Sequence, residues 1–260
     1  MRDRPLAGYR QSMQATQSQN FHLLANQFLD SVLALGPRVV AFDCDGTLWS
    51  GDVGERFFDW TLREDGSDST VLGHGITAQS MRDRHAAYKR GEIDETTMCG
   101  EMTTMYRGNS DQKMLDAAGL FFDQFFVKQI FPEMRELVRR LQENGCDIWA
   151  VSSSNEWLIR AAMKYFDIPA SRVLAAKVEL DGAIATDRLI RVPSGPGKTH
   201  ALREVAKKDM DAAFGNSRWD IEMLTAAKHA FAVNPNPDLE ALARAKGWRI
   251  YFPESARSTQ

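Results

Sequence analysis

The stretch RVVAFDCDGTLW, residues 38–49, decides how the rest of the chain is read. Its first half is short, apolar and β-branched, the composition of a buried strand. Its second half sets Asp43 and Asp45 one residue apart and follows them with Gly46 and Thr47. Residues i and i+2 of a strand point to the same side, so the two carboxylates face one place. Cys44 then faces away, as a small core residue. Two carboxylates that close cannot both stay ionised cheaply without a counter-charge. A turn or helix cap after the strand is the plain alternative, but the apolar lead-in and the DGTL that follows argue for a site.

Outward from this stretch the chain divides in two. Upstream, FHLLANQFLDSVLAL (residues 21–35) repeats apolar residues at helical spacing, with Gly36 and Pro37 to stop it. Downstream, a Met- and Phe-rich stretch from about residue 53 to 128 reads as helical, without a strong strand signal. After Pro132 helices and strands alternate. PEMRELVRRLQENG is a helix ended by Gly145, DIWAVSS a strand and NEWLIRAAMKYF a helix. The DG at 181–182 marks a hairpin between SRVLAAKVEL and AIATDRLIRV. Three further helix–strand pairs end at WRIYF. Such alternation predicts an α/β fold, a Rossmann-like, mainly parallel sheet with helices on both faces. The helical stretch then becomes a small cap inserted after the first strand. The expected divisions are an N-terminal extension and helix over 1–36, a core over 37–52 and 130–260, and a cap over 53–129.

The bulk properties exclude more than they identify. The 260 residues are 43% hydrophobic and 26% charged, enough for a sizeable core. A net charge of −3 gives no basic footprint for nucleic acid or an anionic membrane. No apolar run approaches the roughly 20 residues that span a bilayer. The first score of residues is polar, lacks a signal-peptide h-region and reads as a loosely packed lead. Cys44, Cys99 and Cys146 are scattered without metal spacing, so a reducing, cytoplasmic setting is expected.

Open α/β sheets bind ligands at the carboxyl ends of their strands. Four such stations carry chemistry: Asp43 to Thr47, then Ser152 and Ser153, then Lys198 ahead of a helix, then Gly215-Asn216-Ser217 with Asp220. On these residues the chain resembles the haloacid dehalogenase superfamily, in particular its phosphatases of the phosphoserine phosphatase type. DCDGTLW matches the D-x-D-G-T-L first motif, Ser152 the Ser/Thr of the second and Lys198 the lysine of the third. GNSRWD matches the G-D-x-x-x-D fourth motif. Order and spacing agree from about residue 38 to 252.

The resemblance implies that Asp43 attacks phosphorus, forming an aspartyl-phosphate that water then hydrolyses. Asp45 is implied as proton donor to the leaving alcohol, binding the metal through its backbone carbonyl. Mg²⁺, held by Asp43, Asp45, Asn216 and Asp220, suits oxygen ligands and, with Lys198, supplies the missing counter-charge. Ser152, Ser153, Gly46 and Thr47 are implied with Lys198 in holding the phosphoryl oxygens. Structural alternatives exist. Ser153 and Glu156 fit an S-x-x-E capping box, as Ser217 and Asp220 fit S-x-x-D. Lys198 reads otherwise as a solvated first-turn lysine, although a cation at a helix start is slightly unfavourable. The departure is Asn216, where most relatives have an aspartate; its oxygen can coordinate Mg²⁺ but brings no charge.

The resemblance also places Asp52, nine residues after the nucleophile, where phosphoserine phosphatases hold the substrate's ammonium with a glutamate. Glu55 is expected to share that task. The implied partner is a small-molecule phosphomonoester, with phosphoserine, phosphocholine and phosphoethanolamine as candidates. Trp49, Trp60, Trp157 and Trp219 are read first as core or lid packing and second as faces for a quaternary ammonium. His74, His85, His200 and His229 show no ligand spacing. A dehalogenase has no leaving oxygen to protonate, so Asp45 argues against one. A phosphotransferase would share all four stations, and Asn216 keeps a non-catalytic phospho-ligand binder in view.

Overall fold

The computed structural model describes residues 23–63 and 71–257. The polar lead expected over the first score of residues, and Phe21 and His22 of the helix expected from the sequence, lie outside them. Helix α1 covers 23–33 and stops before Gly36, whose φ of +57° suits glycine. Strand β1 (Val39–Asp43) follows and lies at the centre of a seven-stranded sheet. The others are β2 (Asp147–Asn155), β3 (Val173–Asp181), β4 (Ile184–Arg191), β5 (Ala212–Gly215), β6 (His229–Val233) and β7 (Arg249–Tyr251). The order is β4-β3-β2-β1-β5-β6-β7, with all pairs parallel except β3 with β4. The α/β, mainly parallel fold expected from the alternation of elements is the fold observed. The β3–β4 hairpin turns at Gly182, φ +60°.

The two faces of the sheet feed two apolar clusters, as strand alternation requires. On one face Val40 and Phe42 join α1 and two helices, α6 (Pro132–Glu143) and α7 (Glu156–Met163). Phe42, Phe214 and Phe231 stack across three strands there at 4.2 and 4.7 Å. Phe28 seals α1 onto them, stacked on Tyr251 at 4.0 Å. On the other face Ala41, Ala213 and Ala232 leave room for α8 (Pro196–Val205), α9 (Ile221–Ala226) and α10 (Pro237–Lys246). A short α11 (Glu254–Arg257) ends the described chain.

Between β1 and α6 run α2 (Val53–Thr61), α3 (Ala78–Lys89), α4 (Glu95–Thr104) and α5 (Asp111–Phe125). Their Met and Phe side chains, among them Phe57, Met98, Met105, Phe121 and Phe122, belong to the same buried cluster as Val40 and Phe42. Helix α3 is the exception, with Met81 its sole buried residue among twelve. The loop before α5 is tied to the hairpin by backbone bonds: Gly108 N–H to Ala185 O, Ala185 N–H to Asn109 O and Asp111 N–H to Ala183 O, each 2.8 Å.

One expected cap is corrected. Ser153 and Glu156 form no capping box, because β2 runs on through the serines to Asn155, paired with Ala176 of β3. Asn155 caps α7 instead, its Oδ1 accepting the Leu158 N–H at 3.1 Å. Glu156 pairs with Lys177 at 2.9 Å.

Candidate active site

Asp43 is the last residue of β1 and is 5% exposed. One carboxylate oxygen accepts the Thr47 hydroxyl and the other the Lys198 ammonium, each at 2.6 Å. Lys198 comes from the first turn of α8, where it is 2% exposed. A lysine buried at a helix start needs anionic partners. It has two, for its ammonium also donates to Asp220 Oδ1 at 2.6 Å. The second Asp220 oxygen accepts the backbone N–H groups of Asn216 (3.0 Å) and Ser217 (2.9 Å) and the Ser217 hydroxyl (3.2 Å). The S-x-x-D cap and the ion pair are thus both present in one carboxylate. Gly215 permits this approach, since a Cβ there would lie 2.5 Å from the Cβ of Asp220.

Gly46 has a comparable reason. Its φ is +75°, and a Cβ would fall 1.8 Å from Asn216 Nδ2, so the Asn216 amide rests on a bare backbone. The Gly46 carbonyl accepts the side-chain N–H of Asn234 at 3.2 Å. Asp45 is held from two sides. Its Oδ1 accepts the Trp49 indole N–H at 2.9 Å and the Val53 N–H at 2.7 Å. Its Oδ2 accepts the Ser154 hydroxyl at 2.8 Å and the Ser152 hydroxyl at 3.4 Å.

A hollow of about 340 Å³ opens at these strand ends, and Asp43, Asp45, Gly46, Asp52, Ser153, Lys198 and Asn216 all reach it. Thr47, Ser152 and Asp220 do not. They stand behind Asp43, Asp45 and Lys198 and hold them. Ser152, expected against phosphate, is 2% exposed and committed to Asp45 and the Ser154 N–H. Successive strand residues alternate, so Ser152 and Ser154 turn to Asp45 while Ser153 lines the hollow. Asp52 caps α2, its Oδ1 accepting the Glu55 N–H at 2.7 Å. Glu55 opens not on this hollow but on a smaller chamber beside it, and it pairs with Lys89. Of the four tryptophans Trp49, Trp60 and Trp157 are buried, and Trp219 lines the hollow. Tyr88 of α3 and Glu95 of α4 also line it. Neither carried a signal in the sequence, being brought there by helix packing. Ser154 had one weak signal, its place in the serine run after a strand.

The charges explain the electrostatics. Burial, with Asp220 close by, pushes the Asp43 pKa up to about 7 against the pull of Lys198. Burial also raises Asp45, against the hydrogen bonds from Val53, Ser154 and Trp49. Burial works to lower Lys198, yet the charges of Asp220 and Asp43 outweigh it and hold the ammonium above its ordinary value. Cys44 is fully buried, and burial keeps its thiol well above the usual range, which suits a core residue. Three carboxylates around one ammonium leave excess negative charge for a cation to offset. Among the described residues no three His, Cys, Asp or Glu side chains group to hold a metal. Asp43, Asp45 and Asn216 line the hollow, and the oxygens they offer, carboxylate and amide, are all hard. Mg²⁺ needs only one or two carboxylates, and this set fits it.

The model of the haloacid dehalogenase-like hydrolases matches residues 40–225. Phosphoserine phosphatase SerB1 of Mycobacterium tuberculosis is 27% identical over 149 residues, 55% of this chain and 48% of that protein. The chain thus spans about half the length of its mycobacterial relatives. A histidinol-phosphatase of Neisseria meningitidis is 23% identical over 82% of this chain and 97% of its own. Among solved structures, a Bordetella pertussis protein of unknown function superposes with TM-score 0.70 at 19% identity, covering 82% of this chain and 97% of that one. A phospho-aspartyl intermediate analogue of phosphoserine phosphatase gives TM-score 0.53 at 14% identity, covering 83% and 92%. At those identities the two structures speak for the fold alone.

Proposed function

The chain belongs to the haloacid dehalogenase-like hydrolases, and from that premise we propose that it is a Mg²⁺-dependent phosphatase of small phosphomonoesters, working through an aspartyl-phosphate. The observation that carries the reading is the buried Lys198, 2.6 Å from Asp43 at the hollow that Asp45 shares. An Asp43 oxygen attacks phosphorus in line as the ester P–O bond breaks, and Asp45 gives its proton to the departing alcohol oxygen. Asp45 is already oriented for this by Trp49, Val53 and Ser154. In the second half Asp45 takes a proton from water, the water oxygen attacks phosphorus, and the bond to Asp43 breaks to release phosphate. Lys198 and Ser153 bind phosphoryl oxygens, with Gly46 and Thr47 shaping the loop beside Asp43.

Asp43, Asn216 and the Asp45 carbonyl would hold Mg²⁺, which supplies positive charge to the phosphoryl oxygens. Asp220, whose oxygens are engaged by Lys198 and two amides, serves by positioning Lys198. Residues 53–129 act as the cap that closes over the substrate, with Asp52 facing its alcohol portion. Relatives named for phosphoserine and histidinol phosphate, both amine-bearing, agree with an amine-bearing substrate. No helix of the described residues is long and apolar enough to cross a membrane.

Hydrolysis of p-nitrophenyl phosphate with and without Mg²⁺, with Asp43→Asn as control, tests the reading. Turnover without divalent metal, or turnover retained by the variant, would reject it. The neutral Asn216 favours one competitor, a binder of phospho-ligands. Absence of turnover of any phosphoester at saturating Mg²⁺ would decide for that.

A further inference from the structure

Beside the hollow that holds Asp43 lies a chamber of about 40 Å³, whose walls include Asp52, Glu55, Tyr88, Glu95 and Ser153. Asp52, Tyr88, Glu95 and Ser153 line both spaces, so the two adjoin and a group attached to a phosphate in the hollow would meet these four side chains. The chamber exceeds the roughly 10–15 Å³ that one water needs, which leaves room for a short polar tail.

The charge of the walls is one-sided. No residue lining the chamber is Lys or Arg. The hollow has Lys198, already engaged by Asp43 and Asp220. Glu55 is offset by Lys89 and faces His85 at 3.5 Å. Asp52 and Glu95 make no ion pair among the described residues. Asp52 accepts the Glu55 backbone N–H. Glu95 accepts the Tyr88 hydroxyl with one oxygen and lies 3.7 Å from Cys99 Sγ with the other. Both carboxylates thus keep acceptor capacity toward the space between them.

Walls of this kind discriminate twice. Burial, with the Asp45 charge close by, pushes the Asp52 pKa up to about 8, so the site favours a cation beside this carboxyl. An anionic tail meets the Glu95 carboxylate and finds no cationic donor on the chamber walls, which is a repulsive element as well as a missing attraction. A primary ammonium brings three N–H donors to a wall of acceptors, whereas a quaternary ammonium brings none.

We propose that Asp52 and Glu95 select phosphomonoesters of alcohols that bear a primary ammonium and no carboxylate, with Glu95 as the specificity-determining residue. This rests on the phosphatase reading above and narrows it: amino-alcohol phosphates are accepted and amino-acid phosphates are refused.

The test compares kcat/KM for O-phosphoethanolamine, O-phosphoserine, phosphocholine and propyl phosphate, the last an uncharged match in length for the first. It is run on the wild-type chain, Glu95→Gln and Asp52→Asn. The wild type is expected to favour phosphoethanolamine over each of the others by about tenfold or more. Glu95→Gln is expected to shrink the phosphoethanolamine-to-propyl-phosphate ratio about tenfold, since the amide keeps an oxygen but loses the charge. Phosphoserine turned over as well as phosphoethanolamine, or a ratio that survives both substitutions, overturns the proposal. Should Glu95→Gln fail to fold, the wild-type ratios and Asp52→Asn decide. Turnover of p-nitrophenyl phosphate without any amine preference removes this inference and leaves the phosphatase reading standing. If no ester is turned over, calorimetric Kd values of the same four compounds on the Asp43→Asn chain carry the comparison, with the same order expected and equal affinities overturning it.

Discussion

Lys198 and Asp220 form an ion pair at 2.6 Å with side chains 3% and 0% exposed. Removing one partner of such a pair strands the other in the interior, at a cost of roughly 3–5 kcal/mol. Asp220→Ala also frees the amides of Asn216 and Ser217. It is therefore expected to lower the unfolding free energy from urea melts by an amount in that range and to abolish most activity. Lys198→Arg should not rescue function, because a planar guanidinium cannot replace an ammonium between two carboxylates. A variant with wild-type stability would show that the pair contributes little.

The Asp45 assignment makes a kinetic prediction. Asp45→Asn should slow alkyl phosphates by about 10²–10⁴ while slowing p-nitrophenyl phosphate far less, since nitrophenolate leaves without a proton. Equal losses for both classes would point to a structural role for Asp45.

Gly46 and Asn216 should be coupled. Gly46→Ala brings a methyl within 1.8 Å of the Asn216 amide and fixes an unfavourable φ, so we expect a loss of roughly 1–3 kcal/mol. Asn216→Ala removes the colliding atoms, and the double variant should lose less than the sum of the single losses. Additive unfolding energies would mean that the steric argument is wrong.

Asn216→Asp tests the metal site. One more charged oxygen should tighten Mg²⁺ activation, lowering the half-saturating concentration by about tenfold, since ligand charge tunes affinity. An unchanged Mg²⁺ requirement would place residue 216 away from the ion.

Asp211 supplies a pH prediction for stability. Its carboxylate accepts the Arg38 and Val39 N–H groups at 2.8 and 3.1 Å and pairs with Lys228 at 2.7 Å, fastening the start of β1. The Lys228 hydrogen bond holds its pKa below the ordinary value, with the two backbone donors helping against burial. A depressed folded pKa contributes stability that is full above the unfolded value, near 3.9, and lost as pH falls through the folded one. The difference in stability between wild type and Asp211→Asn, of order 1 kcal/mol, should thus be constant from pH 7 to about 5 and close in more acidic solution. A gap independent of pH down to 2 would exclude the carboxylate as its source.

The sheet and the convergence of Asp43, Asp45, Lys198 and Asn216 were legible because strand ends in a parallel sheet share one edge, so local motifs imply a common site. Ser153 was misread as a cap because the S-x-x-E spacing is local, whereas the extension of β2 depends on pairing with β3. Trp49, Trp60 and Trp157 were ambiguous, since nothing in a tryptophan's neighbours tells whether its ring is covered. Glu95 and Tyr88 were invisible for a deeper reason. They stand on helices without a motif, and only the packing of α3 and α4 over the strand ends brings them to Asp43.

Helix α3 buries a single side chain while its neighbours each bury several. Prying it from the molecule therefore exposes less apolar surface than moving any other part of the roof. On the proposed phosphatase reading, this twelve-residue helix is the part of the roof held by the fewest buried side chains. Tyr88 stands on this helix, and its hydroxyl donates to Glu95 where both side chains line the hollow.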